Sequence, residues 1–492
     1  MSAAPPAEAP PRDMRRRVAR GTMINGAFLL LVNGVGLLRG FIVAAFLTAS
    51  DYGLWGVILI LLYTLVWLKQ AGIGEKYIQQ TEADQELAFQ RAFSVELALS
   101  FVALVIGLIL VPLLALAVGQ HEAILPGLLL LLALPAMALQ SPLWIFARRL
   151  DFARQRRLQA VDPLVGFVVT VVLVAAGAGY WGLLAGTLAG AWTAAAVSWR
   201  VSPIRMRAVR LERETIREYA AFSWPLLVSG ATTIVFAQSL AIVGTRAVGL
   251  AGVGAISLSS TLNQFAGRAD QAVTDALYPA ICRVVDRTDL LLETFLKSNR
   301  LALLWGVPYG VGACLFAPDL VHFVLGSNEW GHATTLLQVV AACAAAHQVG
   351  FNWDSFYRAQ GRTRQTGVMA VFTLVVFLVV TVPLLATKGL DGLAVGMIVQ
   401  EVATVGLRWY YLGRLFPGFH LPVFLARSIA PQIPVALLIV GVRLGESGER
   451  TWWMAAGELA LYGLATLAVI VLLERTLVRE AMGYLRRRPL AA

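Results

Sequence analysis

Apolar runs of similar length, separated by short polar connections, account for most of this chain. They lie at about residues 22–47, 54–72, 92–118, 124–147, 161–179, 182–199, 222–245, 252–281, 301–325, 333–357, 367–386, 390–412, 428–443 and 453–473. Most are close to the roughly 17 to 25 residues that a helix needs to cross a bilayer. Because lipid offers no partner to unpaired backbone groups, such runs fold as helices. The sequence therefore predicts an all-α polytopic membrane protein with about fourteen transmembrane helices.

Composition places the chain outside the soluble classes, since it is 58% hydrophobic and 14% charged, with a mean hydropathy of +0.72. Its net charge of +11 reflects an uneven distribution of Lys and Arg between the two sides of the membrane. With both termini on one side, that side holds 34 Lys and Arg residues, and the other side holds Arg246, Lys388, Arg443 and Arg450. The positive-inside rule assigns the first side to the cytoplasm. We therefore predict a multi-pass protein of the bacterial cytoplasmic (inner) membrane, with both termini cytoplasmic and no nucleic-acid partner.

Motifs for catalysis or metal binding do not occur in the sequence. Cys282, Cys314 and Cys343 are scattered without CxxC or His-rich spacing, which predicts neither a disulfide framework nor a zinc site. There is no GxxxxGKS/T phosphate loop, and the connections on the outer side are short. We expect a transporter without catalytic residues, metal or cofactor, coupled to H+ or Na+ or driven by the membrane potential.

A polar stripe interrupts the apolar run at residues 252–281. Its members recur at steps of three or four, the spacing of one helix face: Ser257, Thr261, Gln264, Arg268, Gln271 and Asp275. At 1.5 Å per residue the stripe is about 27 Å long, close to the hydrocarbon thickness of a bilayer. This helix therefore cannot face lipid on all sides, and we expect the stripe to bind substrate in a cavity.

Arg268 lies near the middle of this run. A charge at the bilayer centre costs at least about 2.5 to 3.5 kcal/mol, so an intramembrane arginine faces a bundle interior or a water-filled cavity. No carboxylate lies three or four residues away on the same helix. Arg268 either binds an anionic substrate or forms a structural ion pair with an acid on another helix.

Arg39 is a second intramembrane cation, in the first run. It too lacks an acid at helical neighbour positions, and it lies about eight residues from the outer end of its run. It is either a second cavity cation or a side chain that extends outward to the interface. Asn33, next to Gly34 and Gly36, is a further candidate for substrate binding in this helix.

Four acids lie within or at the ends of apolar runs: Glu96, Asp354, Glu401 and Glu458. Each is a candidate partner for Arg39 or Arg268, or a candidate for ion coupling. The sequence does not choose between these roles.

A charged connection and a weak internal repeat divide the chain. Residues 200–221 form the longest inner connection, where a two-lobed transporter has its interlobe linker. A solvated charged loop would have the same composition. At an offset of 201, residues 51–53 align with 252–254, and Gln70 aligns with Gln271. The stripe then maps onto the second run, which makes Gln70 a further candidate for substrate binding.

Four local phrases identify a family. They are residues 49–56 (ASDYGLWG), 70–80 (QAGIG followed by YIQQ), 148–152 (RRLDF) and 179–184 (GYWGLL). They resemble the polysaccharide transporter (O-antigen and exopolysaccharide flippase) branch of the multidrug/oligosaccharidyl-lipid/polysaccharide flippase superfamily. The resemblance covers most of the first twelve runs.

This resemblance implies two pseudo-symmetric six-helix lobes plus two C-terminal helices, around a cavity that opens alternately to each side. It implies transport of undecaprenyl-pyrophosphate-linked oligosaccharides from the cytoplasmic to the outer leaflet. In related flippases, cavity arginines on the first and eighth helices meet the pyrophosphate, and Arg39 and Arg268 lie on those helices here. The sequence lacks the larger cluster of three or four such arginines, which is a departure from the family pattern.

The predicted organisation has six parts. They are a disordered basic cytoplasmic tail at 1–20, an N-lobe at 21–200, an interlobe linker at 201–221, a C-lobe at 222–414, helices 13 and 14 at 415–474, and a basic cytoplasmic tail at 475–492.

The leading prediction is a lipid-linked oligosaccharide flippase for surface polysaccharide assembly. Its partners would be the polyprenyl-pyrophosphate substrate, membrane lipids, a polysaccharide polymerase and glycosyltransferases. A cation-coupled multidrug exporter of the same superfamily is one alternative, but cationic substrates favour a carboxylate-lined cavity and the two arginines argue against it. A membrane polymerase or glycosyltransferase is another, but it would need a long outer loop or a cytoplasmic catalytic domain, and the sequence has neither.

Overall fold

The structure is a computed structural model that describes most of the chain. The described residues are 28, 31–32, 34–69, 72–80, 82–149, 151–283, 285–362, 364–416, 420, 426, 429–446 and 449–473. Within the helices, side chains are not described at 68, 152, 224–231, 268–273, 275–276, 278–280, 282–283, 301, 327 and 473. The predicted tails at 1–20 and 475–492 lie outside the described residues.

Helices α1 to α9 occupy the described chain before residue 202. They are α1 Gly34–Phe46, α2 Ala49–Lys69, α3 Ile73–Gln79, α4 Gln85–Val118, α5 Ile124–Leu130, α6 Ala133–Ala138, α7 Pro142–Arg148, α8 Phe152–Ala175 and α9 Tyr180–Val201. The predicted run at 124–147 is thus broken into three short helices. Pro135 and Pro142 lack the N–H groups that would bond four residues back, and the chain tightens beside them into bonds from Leu134 to Leu131 and from Ser141 to Ala138.

Helices α10 to α18 occupy the rest of the described chain. They are α10 Arg213–Arg283, α11 Thr288–Asp319, α12 Ser327–Trp330, α13 Thr334–His347, α14 Trp353–Ala359, α15 Arg364–Val376, α16 Val382–Leu415, α17 Gln432–Gly445 and α18 Trp452–Leu473. Both α10 and α16 cover two predicted runs and bend at a glycine, Gly249 with φ 68° and Gly389 with φ 64°. Glycine adopts this left-handed conformation without strain.

The described residues confirm the predicted all-α class, since no β-strand occurs among them. Eight described stretches are long and apolar enough to cross a membrane, and α1 and α17 are shorter apolar helices. These stretches do not confirm the predicted number of fourteen transmembrane helices.

The chain forms two compact units. The first holds the described residues up to Arg39 and residues 58–231, and the second holds residues 40–57 and the described residues from 232 onward. In the first unit, Tyr77 and Phe89 are fully buried in an apolar core. In the second unit, Phe295 packs edge to face on Phe356, with ring centroids 5.6 Å apart. The lobe boundaries predicted at residues 201 and 222 stay predictions.

Two glycines let α2 and α10 cross with their backbones in contact, inside the second unit. A Cβ atom at Gly53 would overlap the carbonyl oxygen of Leu250, and a Cβ atom at Gly254 would overlap that of Ala49. Residues 49 and 250, and residues 53 and 254, are both separated by 201, the offset of the internal repeat. Each repeat therefore offers the other the same contact, which is the property of two segments related by a local twofold axis.

Candidate functional site

The first part of the polar stripe on α10 packs between helices. Ser257 and Thr261 are half-buried. The Cγ2 atom of Thr261 lies 3.0 Å from the position of a Cβ atom at Gly40, and Ser257 Oγ takes the space of a Cβ atom at Gly56. The Thr261 hydroxyl donates a hydrogen bond to the Ser257 carbonyl at 3.2 Å. These two polar side chains are therefore accommodated by small residues of α1 and α2.

The second part of the stripe carries the predicted cation. Gln264 is exposed. Five of the predicted binding residues have side chains outside the described part of the chain: Arg268, Gln271, Asp275, Asn33 and Gln70. Their roles stay predictions.

Arg39 lies beside α8 in the first unit. Its Nη1 atom is 3.9 Å from the position of a Cβ atom at Gly166, and its positive charge acts on the Asp162 carboxylate one turn earlier on α8. Asp162 also packs against Gly190 of α9. Asp162, which is not among the predicted partner acids, thus lies near Arg39 and favours the ion-pair interpretation for this residue.

Lys69 and Glu96 form a buried ion pair in the first unit. The Lys69 Nζ atom lies 2.9 Å from Glu96 Oε1, and the two side chains are 3% and 11% exposed. Lys69 also donates a hydrogen bond to the Leu134 carbonyl at 3.2 Å. Glu96, a candidate partner of the two intramembrane arginines, is therefore paired with a lysine that the charge count assigns to a cytoplasmic connection.

A cavity of about 700 Å³ lies beside this pair. Its polar lining comes from α2, α3, α4, α8 and the turn before α7: Lys69, Glu75, Glu96, Gln140, Ser141, Gln159 and Asp162. The Trp144 ring forms part of the apolar wall. The cavity thus combines amide and hydroxyl groups, which bind sugar hydroxyls as donors and acceptors, with charges of both signs.

A second cavity, of about 320 Å³, lies inside the second unit. Its polar lining consists of Ser259, Ser260, Asn263, His347, Thr381, Gln400 and Glu401. The Thr381 hydroxyl donates to Gln400 Oε1 at 3.2 Å, and His347 Nδ1 lies 3.3 Å from Glu401 Oε1. Glu401, predicted as a partner of Arg39 or Arg268 or as an ion-coupling residue, therefore has histidine as its neighbour in this cavity.

The chain between α13 and α14, next to this cavity, is held by Arg408 of α16. The Arg408 guanidinium is buried and donates through Nη1 to the carbonyls of His347 and Val349, at 2.7 and 2.6 Å. These carbonyls lie at the end of α13, where an i+4 donor is missing. Arg408, assigned by the charge count to a cytoplasmic connection, thus lies inside the unit and caps a helix.

Asn299 of α11 and Asn352, which precedes α14, complete this polar network. Asn299 donates to Asn352 Oδ1 at 3.1 Å and accepts from the Gly350 N–H at 2.8 Å. Asn352 donates to the Ser298 hydroxyl at 2.9 Å. All of these side chains are buried, so the break between α13 and α14 is specified by side-chain hydrogen bonds.

The two remaining predicted acids also have local partners. Asp354 pairs with Arg358 at 3.0 Å, one turn along α14. Glu458 of α18 pairs with Arg443 and with Arg450, each at 2.8 Å. Both are therefore engaged within the second unit.

The Glu458 cluster continues to α11 through Asp319, which accepts from Arg443 at 2.8 Å and also from Arg450. Hydrogen bonds to Glu458 and Asp319 raise the pKa of the Arg450 guanidinium, which keeps it charged. These contacts tie α17 and α18 to the end of α11.

Four polar residues are not predicted from the sequence: Lys69 and Arg408, which are buried, Asp162, which is half-buried, and His347, which is about half exposed. Lys69 and Arg408 lie near the ends of apolar runs, so the charge count assigns them to connections. One signal was available, because a buried acid such as Glu96 requires a cation on a neighbouring helix. Which cation it would be depends on tertiary contacts that a single sequence does not contain.

The described residues offer binding groups and charge compensation. Among them, no group of three or more His, Cys, Asp or Glu residues could hold a metal ion. Cavities of this kind, with amides, hydroxyls and charged side chains, suit the binding of a polar solute.

Comparison with known proteins agrees with the sequence patterns. The sequence profile of the family described as "Polysaccharide biosynthesis protein" matches residues 42–335. The chain is 23% identical over 468 residues to the succinoglycan biosynthesis transport protein ExoT of Rhizobium meliloti (strain 1021), with 92% of each chain covered. It is 20% identical over 235 residues to an uncharacterized membrane protein in the cps region of Klebsiella pneumoniae, with 47% of this chain and 48% of the relative covered.

Solved structures share the fold. The lipid II flippase MurJ in an inward closed conformation aligns with a TM-score of 0.68 and 12% identity, covering 92% of this chain and 99% of that one. An inward-facing multidrug resistance MATE family transporter of the MOP superfamily aligns with a TM-score of 0.63 and 15% identity, covering 80% and 98%. The chain thus has the helical fold of MurJ and MATE transporters.

Proposed function

Because the chain belongs to the polysaccharide biosynthesis protein family, we propose that it is a flippase for undecaprenyl-pyrophosphate-linked oligosaccharides. It would move them from the cytoplasmic to the outer leaflet by alternating access. The observation that carries this proposal is the match over 92% of both chains to a protein named as a succinoglycan biosynthesis transport protein. A polymerase and glycosyltransferases that handle the same lipid-linked glycan would be its functional partners.

Two ion contacts of the first cavity support an anionic or neutral substrate. Glu96 is paired with Lys69, and Asp162 lies near Arg39. A carboxylate beside a fixed cation attracts a cationic substrate less than a carboxylate without one. The amides and hydroxyls of the described cavities would instead serve the sugar, while Arg268 would hold the pyrophosphate.

A cation-coupled multidrug exporter is the second candidate, because a MATE transporter shares the fold over 80% of this chain. Transport assays with two different substrates distinguish the flippase from the exporter. Purified full-length protein in liposomes should move a fluorescent lipid-linked oligosaccharide between leaflets without changing its mass. Export of cationic dyes with no movement of the lipid-linked glycan would establish the exporter instead, and a product of altered mass would establish an enzyme.

The role of Arg268 gives the sharper test. Arginine presents a planar fork of donors that fits phosphate oxygens, and lysine keeps the charge but loses that geometry. We expect Arg268→Ala to abolish flipping in a protein that still inserts and folds, and Arg268→Lys to keep part of the activity. Arg364→Ala, at the exposed start of α15, is the matched control and should flip normally.

Arg39 and Arg268 can also be distinguished from structural cations. If the role is structural, the alanine variant loses thermal stability, since removing one partner of a buried pair costs about 3 to 5 kcal/mol. For Arg39, the second change Asp162→Ala should then restore it. An Arg268→Ala protein that is stable and flips at the normal rate would rule out the pyrophosphate-binding role.

A further inference from the structure

The connection between α9 and α10, residues 202–212, is a non-helical strap in which half-buried and exposed side chains alternate, except at Arg207 and Ala208, which are both exposed. Ile204, Met206 and Leu211 are half-buried, whereas Arg205, Arg207 and Arg210 are exposed. Alternation of this kind is the property of an extended chain lying on a surface. The solvated loop that the composition also allows would not show it.

The strap is fastened to the first unit along its length. Ile204, Met206 and Leu211 pack against the apolar core that contains Phe89 and Tyr219. Burial there, with the nearby acid Glu82 as a lesser cause, raises the pKa of Tyr219 to about 12. The half-buried side chains of the strap therefore pack against a buried core.

Backbone groups of the strap are also bound. The Val209 N–H donates to the Ser94 hydroxyl at 2.8 Å, and Gln90 Nε2 approaches the Arg205 carbonyl at 3.5 Å. The Glu212 carboxylate lies 3.9 Å from Arg91 at the end of the strap. These contacts therefore fix the backbone that carries the outward arginines in the absence of a bound partner.

The outward side chains form a basic row. At about 3.3 Å per residue, positions 205 to 210 span roughly 17 Å. Residues 200–218 contain six arginines and three glutamates, and the glutamates at 212 and 218 lie near Arg91 and Lys76. Among the described residues, no ion pair engages Arg205, Arg207 or Arg210. This surface is therefore free to bind anions.

Exposed apolar side chains flank the row on both sides. Trp199 in the last turn of α9 is 57% exposed, and Ile216 in the first turns of α10 is 50% exposed. Tryptophan is enriched where the hydrocarbon of a bilayer meets its headgroups, and basic residues at that level attract anionic lipids. Apolar groups beside a basic row suit a lipid surface better than an acidic soluble protein, which would leave them in water.

We propose that the strap, through Arg205, Arg207 and Arg210, is a binding site for anionic phospholipid headgroups in the leaflet where α9 ends. Trp199 and Ile216 would lie at the acyl boundary of that leaflet. Because the strap is fastened to the first unit, bound lipid would hold that unit at the bilayer surface. This inference does not depend on the identity of the transported substrate.

The test measures binding of phosphatidylglycerol to the purified full-length protein in a neutral detergent, with phosphatidylcholine as the reference lipid. Two variants are compared. R205Q/R207Q removes two strap charges, and R362Q/R364Q removes two exposed arginines with the same Arg-x-Arg spacing from the second unit. Both double variants lose the same net charge.

A basic residue near an anionic surface contributes enough for about a fivefold change in affinity, so R205Q/R207Q should bind phosphatidylglycerol about 25-fold more weakly. R205K/R207K should keep most of the binding, and R362Q/R364Q should change it little. Equal losses in both glutamine variants would overturn the proposal, because the effect would then follow net charge. Unchanged binding of phosphatidylglycerol in R205Q/R207Q would overturn it as well.

Discussion

Lys69 shows how a buried polar side chain is given partners inside an apolar unit. Its Nζ atom has two acceptors, the Glu96 carboxylate and the Leu134 carbonyl. Hydrophobic replacement of both members of a buried pair is often tolerated, whereas removal of one member leaves an uncompensated charge. A single substitution at this pair should therefore destabilise the protein much more than replacement of both residues.

We expect Lys69→Met to destabilise the protein by about 3 to 5 kcal/mol, and Lys69→Met with Glu96→Leu to recover most of that loss. The measurement is thermal and denaturant unfolding of the purified protein. Lys297→Met is the control, because Lys297 pairs with Glu293 on the surface, where both side chains are about half exposed. A single variant as stable as the double variant would contradict this account of the pair.

A sequence shows which charged residues in apolar runs need an ion-pair partner. It does not show which residue that partner is. Glu96 is recognisable as a charge within an apolar run, but Lys69 and Arg408 are counted with the connections, and Asp162 is missed. Ion pairing is decided by contacts between helices distant in sequence. Arg268, the most distinctive charge in the sequence, stays a prediction.

Helices in this chain are interrupted at positions that hydrophobic periodicity does not reveal. The run at 124–147 contains three short helices, and the run at 333–357 contains α13 and α14. In each unit a buried cation binds carbonyls of the interrupted run: Lys69 binds Leu134, and Arg408 binds His347 and Val349. Apolar patterning predicts where a run exists, whereas proline positions and buried side-chain donors decide where it breaks.

Glycine contacts at the α2–α10 crossing can be tested directly. Gly53→Ala should destabilise the protein by at least about 1 to 3 kcal/mol, because its Cβ atom would meet the Leu250 carbonyl and backbone would have to move. Gly254→Ala should have a similar effect through Ala49. Gly406→Ala on α16, where nothing lies within 4 Å, should be neutral or stabilising by up to about 1 kcal/mol. The measurement is the unfolding midpoint of each of the three variants in detergent. Equal midpoints for all three would contradict the close crossing of α2 and α10.

The internal repeat was detectable in the sequence, but its meaning was not. An offset of 201 aligns only a few residues, and such matches are common by chance. In the structure, residues at this offset make equivalent contacts, because Gly53 meets Leu250 and Gly254 meets Ala49. These contacts join helices that are distant in sequence, so the sequence alignment alone does not predict them.

For the molecule as a whole, composition and run length were sufficient to predict the class. The chain belongs to the polysaccharide biosynthesis protein family, and it shares the helical fold of MurJ and MATE transporters. Topology rests on the distribution of Lys and Arg. Lys69 and Arg408 lie inside the protein and drop out of that count, yet the excess on one side remains large.

Single-cysteine labelling would test the topology in a background with Cys282, Cys314 and Cys343 replaced. A cysteine at Ala208, in the strap, should react with a membrane-impermeant maleimide only after cells are permeabilised. A cysteine at Glu449, before α18, should react in intact cells, because the connection between α17 and α18 is predicted to be outside. Labelling of Ala208→Cys in intact cells would reverse the assigned orientation and place the strap at the outer leaflet.

The Lys69–Glu96 pair also bears on how the chain enters the bilayer during synthesis. Glu96 lies within α4, so that helix alone carries a charge into lipid at a cost of up to about 2.5 to 3.5 kcal/mol, whereas Lys69 at the end of α2 makes the pair neutral. In the described part of the chain, α3 is the one helix between α2 and α4. We therefore expect α2 and α4 to enter the bilayer together as a hairpin.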